Sequence, residues 1–394
     1  MPAAPRTPAT TPATHGLEGV VVADTQLSDV DGERGRLVVR GHDIEELARH
    51  CDFESLCALL WTGRLPGPDA HAALRAELGR ARLRAWQRLP MLGDALAAPD
   101  AMDALRAALA HLRIGELARG AEKAEITGAI AVFAAAWARD QRGEAPVEPD
   151  PSLSHAADFL RMAGQHGPEN GNSDGDAGAR AAALDAYLVT AADHGMNAST
   201  FTARVVASTL SDPVSAVVAA LGALKGPLHG GAPGPVLAML DAIGEPQHAA
   251  PWIAAELAAG RRIMGMGHRV YRVRDPRAAV LEQAVERLRR SRSQQGASSA
   301  GPGDRLELAR AVEAVAQASL HEHHPERRMA ANVEFYTAVI LDAVGLPQEL
   351  FTATFAVARV AGWLAHIDEQ QALGRLIRPS ARYVGPIPEV KVAA

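Results

Sequence analysis

After about residue 50, the apolar positions of this chain recur with a helical period. Phe53, Leu56, Cys57, Leu60 and Trp61 fall at i, i+3, i+4, i+7 and i+8, the spacing that lines one face of a helix. Asp52 stands where an N-cap is needed, and Gly63 followed by Pro66 ends the stretch. Val236, Leu237, Leu240 and Ile243 form a second stripe, with Pro233 and Pro235 near its start and Gly244 at its end. Tyr336, Val339, Ile340, Ala343 and Val344 form a third, closed by Gly345 and Pro347. Two β-favouring runs stand near the N-terminus, Val20–Val22 and Leu37–Val39, separated by Asp31-Gly32; together they predict a small hairpin. The expected fold class is all-α, with this short N-terminal β-hairpin.

Three stretches lack periodicity. Residues 1–15 carry Pro2, Pro5, Pro8 and Pro12 and almost nothing to bury, and are expected to be a disordered tail. The tail has neither the apolar stretch of a secretory signal nor the several arginines of a mitochondrial presequence. Gly164 to Arg180 and Ser291 to Asp304, rich in Gly, Ser, Asn, Asp and Gln, are expected to be surface loops.

Composition narrows the function classes. The chain has 394 residues, enough for two cores or one large core with a satellite domain; with 48% of them hydrophobic and only 4% aromatic, packing of helix on helix is expected. Forty basic against forty-six acidic side chains give a formal charge of −6, which disfavours nucleic acid as a partner. No uninterrupted apolar run approaches membrane-spanning length. Cys51 and Cys57 make neither a disulfide scaffold nor a metal site, and Cys57 falls on an apolar helix face. A reducing cytoplasm is the expected compartment. His321-Glu-His-His324 looks like a metal cluster, but its spacing cannot put three imidazoles on one helical face.

Candidate chemistry lies in glycine-flanked histidines and one acid. His229 stands in Lys225-Gly-Pro-Leu-His-Gly-Gly231, close to the start of the second stripe, where a helix dipole favours the neutral ring. His268 follows Gly265 and Gly267, and Arg269, Arg272, Arg274 and Arg277 crowd the positions after it. Glu334 lies in the first turn of a helix that Asn332 can cap. A carboxylate with two imidazoles can remove a proton next to a carbonyl and hold the oxyanion that results.

These three segments, together with Asp193-His-Gly-Met-Asn-Ala-Ser-Thr200, Arg359-Val-Ala-Gly-Trp-Leu-Ala-His366 and Arg378-Pro-Ser-Ala-Arg-Tyr-Val-Gly385, resemble the motifs of the citrate synthase family. The resemblance runs from about Gly16 to Gly385. It implies condensation of acetyl-CoA with oxaloacetate and water, giving citrate and CoA, with propionyl-CoA and 2-methylcitrate as the alternative. By resemblance, His229, His268 and Glu334 are catalytic, and His194, Arg277, Arg359 and Arg378 bind oxaloacetate. Gly265, Met266, Arg272 and Asn332 meet the coenzyme, which is a co-substrate; no tightly bound cofactor and no metal are implied. A large helical domain of residues 16–225 and 334–394 is implied, with a smaller one at 226–333 and the substrates in the cleft between. A homodimer follows, with Arg378 reaching the neighbouring site, and the extra N-terminal domain of longer, NADH-controlled relatives is not expected. Most family members have aspartate where this chain has Glu334. The added methylene moves the carboxylate by roughly 1.5 Å, which raises a third reading: a weakly active protein that binds CoA or oxaloacetate.

Overall fold

A computed structural model describes residues 15–17, 19–116, 120–164, 174–230, 233–267, 271, 273–294, 305–325 and 329–386. Its strands are β1 (Ser28–Asp31), β2 (Arg36–Val39) and β3 (His42–Asp43), in one antiparallel sheet of order β1-β2-β3. The helices are α1 (Ile44–His50), α2 (Phe53–Thr62), α3 (Pro68–Arg88), α4 (Ala101–Leu109), α5 (Glu122–Asp140), α6 (His155–Met162), α7 (Asp174–Ala191) and α8 (Ala198–Ala207). They continue with α9 (Pro213–Lys225), α10 (Pro233–Ile243), α11 (Ala249–Ala258), α12 (Pro276–Gln294), α13 (Leu306–His323), α14 (Val333–Ala343) and α15 (Phe351–Leu373). The fold is helical, as the periodicity predicts.

Local signals place the predicted helices closely. Asp52 caps α2 by accepting from the Ser55 amide, and Gly63 closes it in the left-handed region at φ 79°. Phe53, Leu56, Cys57 and Leu60 are buried. The stripe from Val236 to Ile243 is buried on α10, and Gly345 at φ 86° follows α14.

The hairpin differs from expectation. Val20–Val22 form no strand, and Val21 is 85% exposed. The partner of Leu37–Val39 is Ser28–Asp31, with Val30 opposite Leu37 and Ser28 opposite Val39. Strand pairing rewards fit to a half-buried surface more than local hydrophobicity; Leu37 and Val39 supply the buried side, so a polar segment completes the ladder.

Both expected loops begin or end as helix. Asp174 to Arg180 belongs to α7, and α12 continues to Gln294. The reason is a long-range tie: Arg292 near the end of α12 donates to Asp176 on α7 at 2.8 Å and to the Ala343 carbonyl at 3.2 Å. Residues 165–173 and 295–304 lie outside the described residues.

Two helices run through the interior. α5 is buried from Ala124 to Ala138 and packs on α3, α4 and α15. Its crossing with α3 is close enough that a Cβ on Gly128 would sit 2.9 Å from the Arg82 amide nitrogen. α15 packs on α2, α7, α8 and α9. Contrary to the expectation from uninterrupted apolar runs, an 18-residue window within Gln348–Leu373 reaches mean hydropathy 1.4, enough by length and composition to cross a membrane. In the fold 94% of that window is buried, so α15 is a core helix. α12 packs on α7 and α14, and α11 pairs with α13.

Candidate active site

The acid is fixed by a cap that also holds a loop. Asn332 takes extended geometry, and its side-chain oxygen accepts from the Glu334 amide at 3.0 Å. Its side-chain nitrogen donates to the Gly267 carbonyl at 2.8 Å. Backbone bonds from Asn332 to Gly265 at 2.9 Å and from Gly267 to Ala330 at 2.8 Å complete a short bridge around Met266 and Ala331. Gly265 has φ 73°, and a Cβ there would stand 2.9 Å from the Phe335 Cβ. Only glycine lets this loop lie directly on the first turn of α14.

Two arginines face the acid. Arg277, at the start of α12, is gripped by Asp275 through Nε at 3.1 Å and a terminal nitrogen at 2.7 Å. Arg359, buried on α15, donates from Nε to the Ala191 carbonyl at 2.6 Å and stacks over Phe355 with 4.6 Å to the ring centre. Burial pushes the Glu334 carboxyl up to about 7, against the opposing pull of Arg277 and Arg359. Burial lowers Arg359 to about 10, against the pull of Asp193. A carboxyl titrating near neutrality is suited to act as a base at physiological pH.

His229 lies in the turn after α9, its ring edge-on to Phe355 with 6.3 Å between ring centres. Its Nε2 accepts from the Ser199 backbone amide at 3.3 Å and lies 2.8 Å from Ser199 Oγ. Trp363 Nε1 donates to the same hydroxyl at 3.1 Å. An accepting Nε2 leaves the ring proton on Nδ1, an assignment made from the hydrogen-bond network. The imidazole is depressed to about 4, first by burial and then by the Arg359 charge. The ring is therefore neutral, as expected, but desolvation rather than a helix dipole is the main cause.

His194 faces Tyr271, with its Nε2 3.1 Å from the phenol oxygen and 5.6 Å between ring centres. The neighbouring Asp193 is buried, accepting from Ser28 at 2.5 Å and lying 3.1 Å from His366 Nε2. Burial raises its carboxyl, but His366, Ser28 and Arg359 together hold it below the usual range.

The fold thus brings Glu334, Arg277 and Arg359 under one another's charge, and His229 under that of Arg359, with Asn332, Gly265 and Met266 against the start of α14. His194 joins through Tyr271, which Arg277 also influences. Arg378 is exposed in the extended segment after α15, with no hydrogen bond to these groups among the described residues. His268 and Arg272 lie outside the described residues. His321 and His323 end α13, where His323 Nδ1 lies 2.8 Å from the Ser319 carbonyl.

A family model described as the citrate synthase C-terminal domain matches residues 16–380. The chain is 39% identical to the citrate synthase of Haloferax volcanii over 384 residues, 94% of this chain and 95% of that one. It is 38% identical to a putative citrate synthase 2 of Mycobacterium tuberculosis, covering 95% of this chain and 93% of that one. Among solved structures, citrate synthase from Pyrobaculum aerophilum superposes with a TM-score of 0.80 at 33% identity, covering 97% of each chain. A ternary complex of carboxymethyl coenzyme A and oxaloacetate with citrate synthase from the archaeon Thermoplasma acidophilum superposes at 0.79 with 28% identity, covering 96% of this chain and 97% of that one. The chain belongs to the citrate synthase family.

As a citrate synthase-family acyltransferase, it contains site residues that the sequence reading passed over. Asp275 stands two residues before Arg277, and Asp-Pro-Arg could have flagged it as the partner of the arginine fork. Ser199 lies inside the quoted Asp193–Thr200 segment, yet nothing local links it to His229, thirty residues on. Phe355 and Tyr271 are ordinary aromatic positions until the fold sets them against Arg359 and His194.

Proposed function

We propose that this protein condenses acetyl-CoA with oxaloacetate and water to give citrate and CoA. The observation that carries the reading is the Glu334 carboxyl, raised to about 7 by burial against the pull of Arg277 and Arg359, the second of which also acts on a neutral His229. The Glu334 carboxylate takes a proton from the acetyl methyl group. The enolate oxygen that develops accepts from His229 Nδ1–H, held in that tautomer by Ser199. The carbon then attacks the oxaloacetate ketone, forming the new C–C bond as the carbonyl π bond opens, and the ketone oxygen takes a proton from His268 to become the citryl hydroxyl. His268 polarises that ketone in this reading. Arg277, Arg359 and His194 hold the oxaloacetate, and Arg378 of a second protomer completes the site. Water then cleaves the citryl-CoA thioester and releases CoA.

The reading includes a cytoplasmic homodimer and two helical parts, 16–225 with 334–394 and 226–333, closing on the substrates to exclude water. Supporting it, Arg378 is exposed in the segment after α15.

The test is thiol release by the purified protein with oxaloacetate, run with acetyl-CoA and propionyl-CoA in parallel. Strong release with acetyl-CoA is expected. A preference for propionyl-CoA reassigns the protein to 2-methylcitrate synthesis. Oxaloacetate binding with no release from either thioester makes it a binding protein.

A further inference from the structure

Glu334 depends on how α14 is rotated as well as on where it starts. The start of α14 meets the Asp275–Arg277 segment where the Val333 amide donates to Asp275 at 3.3 Å and, just before the helix, the Asp275 amide donates to the Ala331 carbonyl at 3.4 Å. Ties gathered at the very start of a helix fix its position more firmly than its rotation about the axis. A further tie stands one turn along. Tyr336, fully buried on α14, donates its hydroxyl to Glu313 on α13 at 2.7 Å. Glu313 also takes both arms of Arg274 on one side, Nε at 2.8 Å and a terminal nitrogen at 2.9 Å. The Arg274 guanidinium lies over the Tyr336 ring, 5.2 Å from its centre.

Arg274 is itself pinned. Glu282 on α12 accepts from it at 2.9 Å. From the other side, the hairpin turn closes on it: a Cβ on Gly35 would stand 2.5 Å from Val273 Cγ2 and 3.2 Å from the Arg274 carbonyl. The segment from Val273 to Arg277 is thus wedged between the hairpin and α13, and it holds α14 through two carboxylates, Asp275 at Val333 and Glu313 at Tyr336.

We propose that Arg274, Glu313 and Tyr336 are positioning residues that fix the rotation of α14 against the oxaloacetate-side segment and so aim the Glu334 carboxylate. The inference rests on the condensation reading above. With the side-chain tip ~6 Å from the helix axis, a ten-degree turn sweeps a glutamate carboxylate through ~1 Å, and misplacement of that size can lower the rate about a hundredfold. The clamp uses a bidentate fork and a phenol on one acceptor, so each arm supports the other. None of the three reaches the reacting atoms; they act through α14.

The experiment compares wild type, Tyr336→Phe, Arg274→Gln, Arg274→Lys and the Tyr336→Phe/Arg274→Gln double variant by thiol release, with separate kcat and oxaloacetate KM values and a melting curve for each. Tyr336→Phe removes one oxygen from a buried ring and keeps the readout available if a charge-changing variant fails to fold. The expected result is a kcat lowered about tenfold in Tyr336→Phe and more in Arg274→Gln, with the oxaloacetate KM within about threefold. Arg274→Lys, which keeps the charge but loses the fork, should recover part of the loss. The double variant should fall short of the product of the single effects, because both arms act through Glu313. An active wild type with Tyr336→Phe and Arg274→Gln within twofold of it in kcat overturns the clamp and leaves the reaction standing. Loss of kcat that follows the melting temperature across all variants, with no rescue by lysine, also overturns it. A wild type that releases no thiol removes the condensation reading and the positioning role with it.

Discussion

Two of the buried charge clusters in this protein are built in opposite ways. Beneath α2, α3 and α6, Arg82 and Asp158 are both fully buried and closed on each other at 2.7 Å. Arg82 also donates to the Leu153 and Asp150 carbonyls, while Asp158 accepts from the Asp150 amide and Arg161. At the start of α14, by contrast, Glu334 has no salt bridge among the described residues, and Arg359 gives its Nε to a carbonyl. Both groups titrate far from their ordinary values. A saturated buried pair holds structure; at the start of α14 Arg277 is paired with Asp275, but Glu334 and Arg359 close on no opposite charge among the described residues and are available to a ligand.

Several experiments test that contrast. The largest effect belongs to Glu334→Gln, which keeps the shape and removes the base: kcat should fall by about 10³-fold or more. The same variant should melt higher than wild type at pH 8 and together with it at pH 4. The sign follows from the raised carboxyl: the folded state holds the proton more tightly, so ionised Glu334 opposes folding above the ordinary carboxylate range, most fully above about pH 7. A lower melting temperature at pH 8 would mean that the acid is paired after all.

Arg82→Met should do the reverse. It leaves Asp158 buried without its counter-charge and should lower stability by about 3–5 kcal/mol in denaturant unfolding, while kcat per folded molecule stays near wild type. A catalytic defect as large as that of Glu334→Gln would erase the distinction between the two clusters.

A pH profile comes next. Below about pH 7, kcat should decline about tenfold per unit as Glu334 is protonated. His229, depressed to about 4, adds no second limb in that range. A profile flat down to pH 5 would contradict the assignment of Glu334 as the base. The smallest effect is Ser199→Ala, which removes the hydroxyl beside His229 but keeps the backbone amide bond to its ring. The bond lost at His229 is one neutral hydrogen bond, so a kcat loss of about fivefold is expected; the variant also leaves the buried Trp363 indole N–H without its acceptor, so the melting temperature should fall as well.

Much of the helical framework was legible because its signals are local. Asp52 with Ser55, Gly63 with Leu59 and Asn332 with Glu334 are contacts within one turn, so their meaning survives without the rest of the chain. The same holds for Glu334 as a first-turn acid and for the stripe from Val236 to Ile243. Where local and distant demands disagreed, the distant one won. The apolar Val20–Val22 was left out of the sheet in favour of Ser28–Asp31, and Asp174–Arg180 became helix against its glycine-rich composition.

The sequence by itself determined the residue kinds at the site and the family they resemble, because motif order along a chain needs no coordinates. The state of those residues was decided by tertiary structure. Ser199 meets His229 across 30 positions, Asp193 meets His366 across 173, and Glu313 meets Tyr336 across 23. The Glu334 carboxyl is raised to about 7 only when packing strips its water away, against the pull of Arg277 and Arg359. Desolvation and charge proximity are properties of the assembled volume, and no window of sequence contains them.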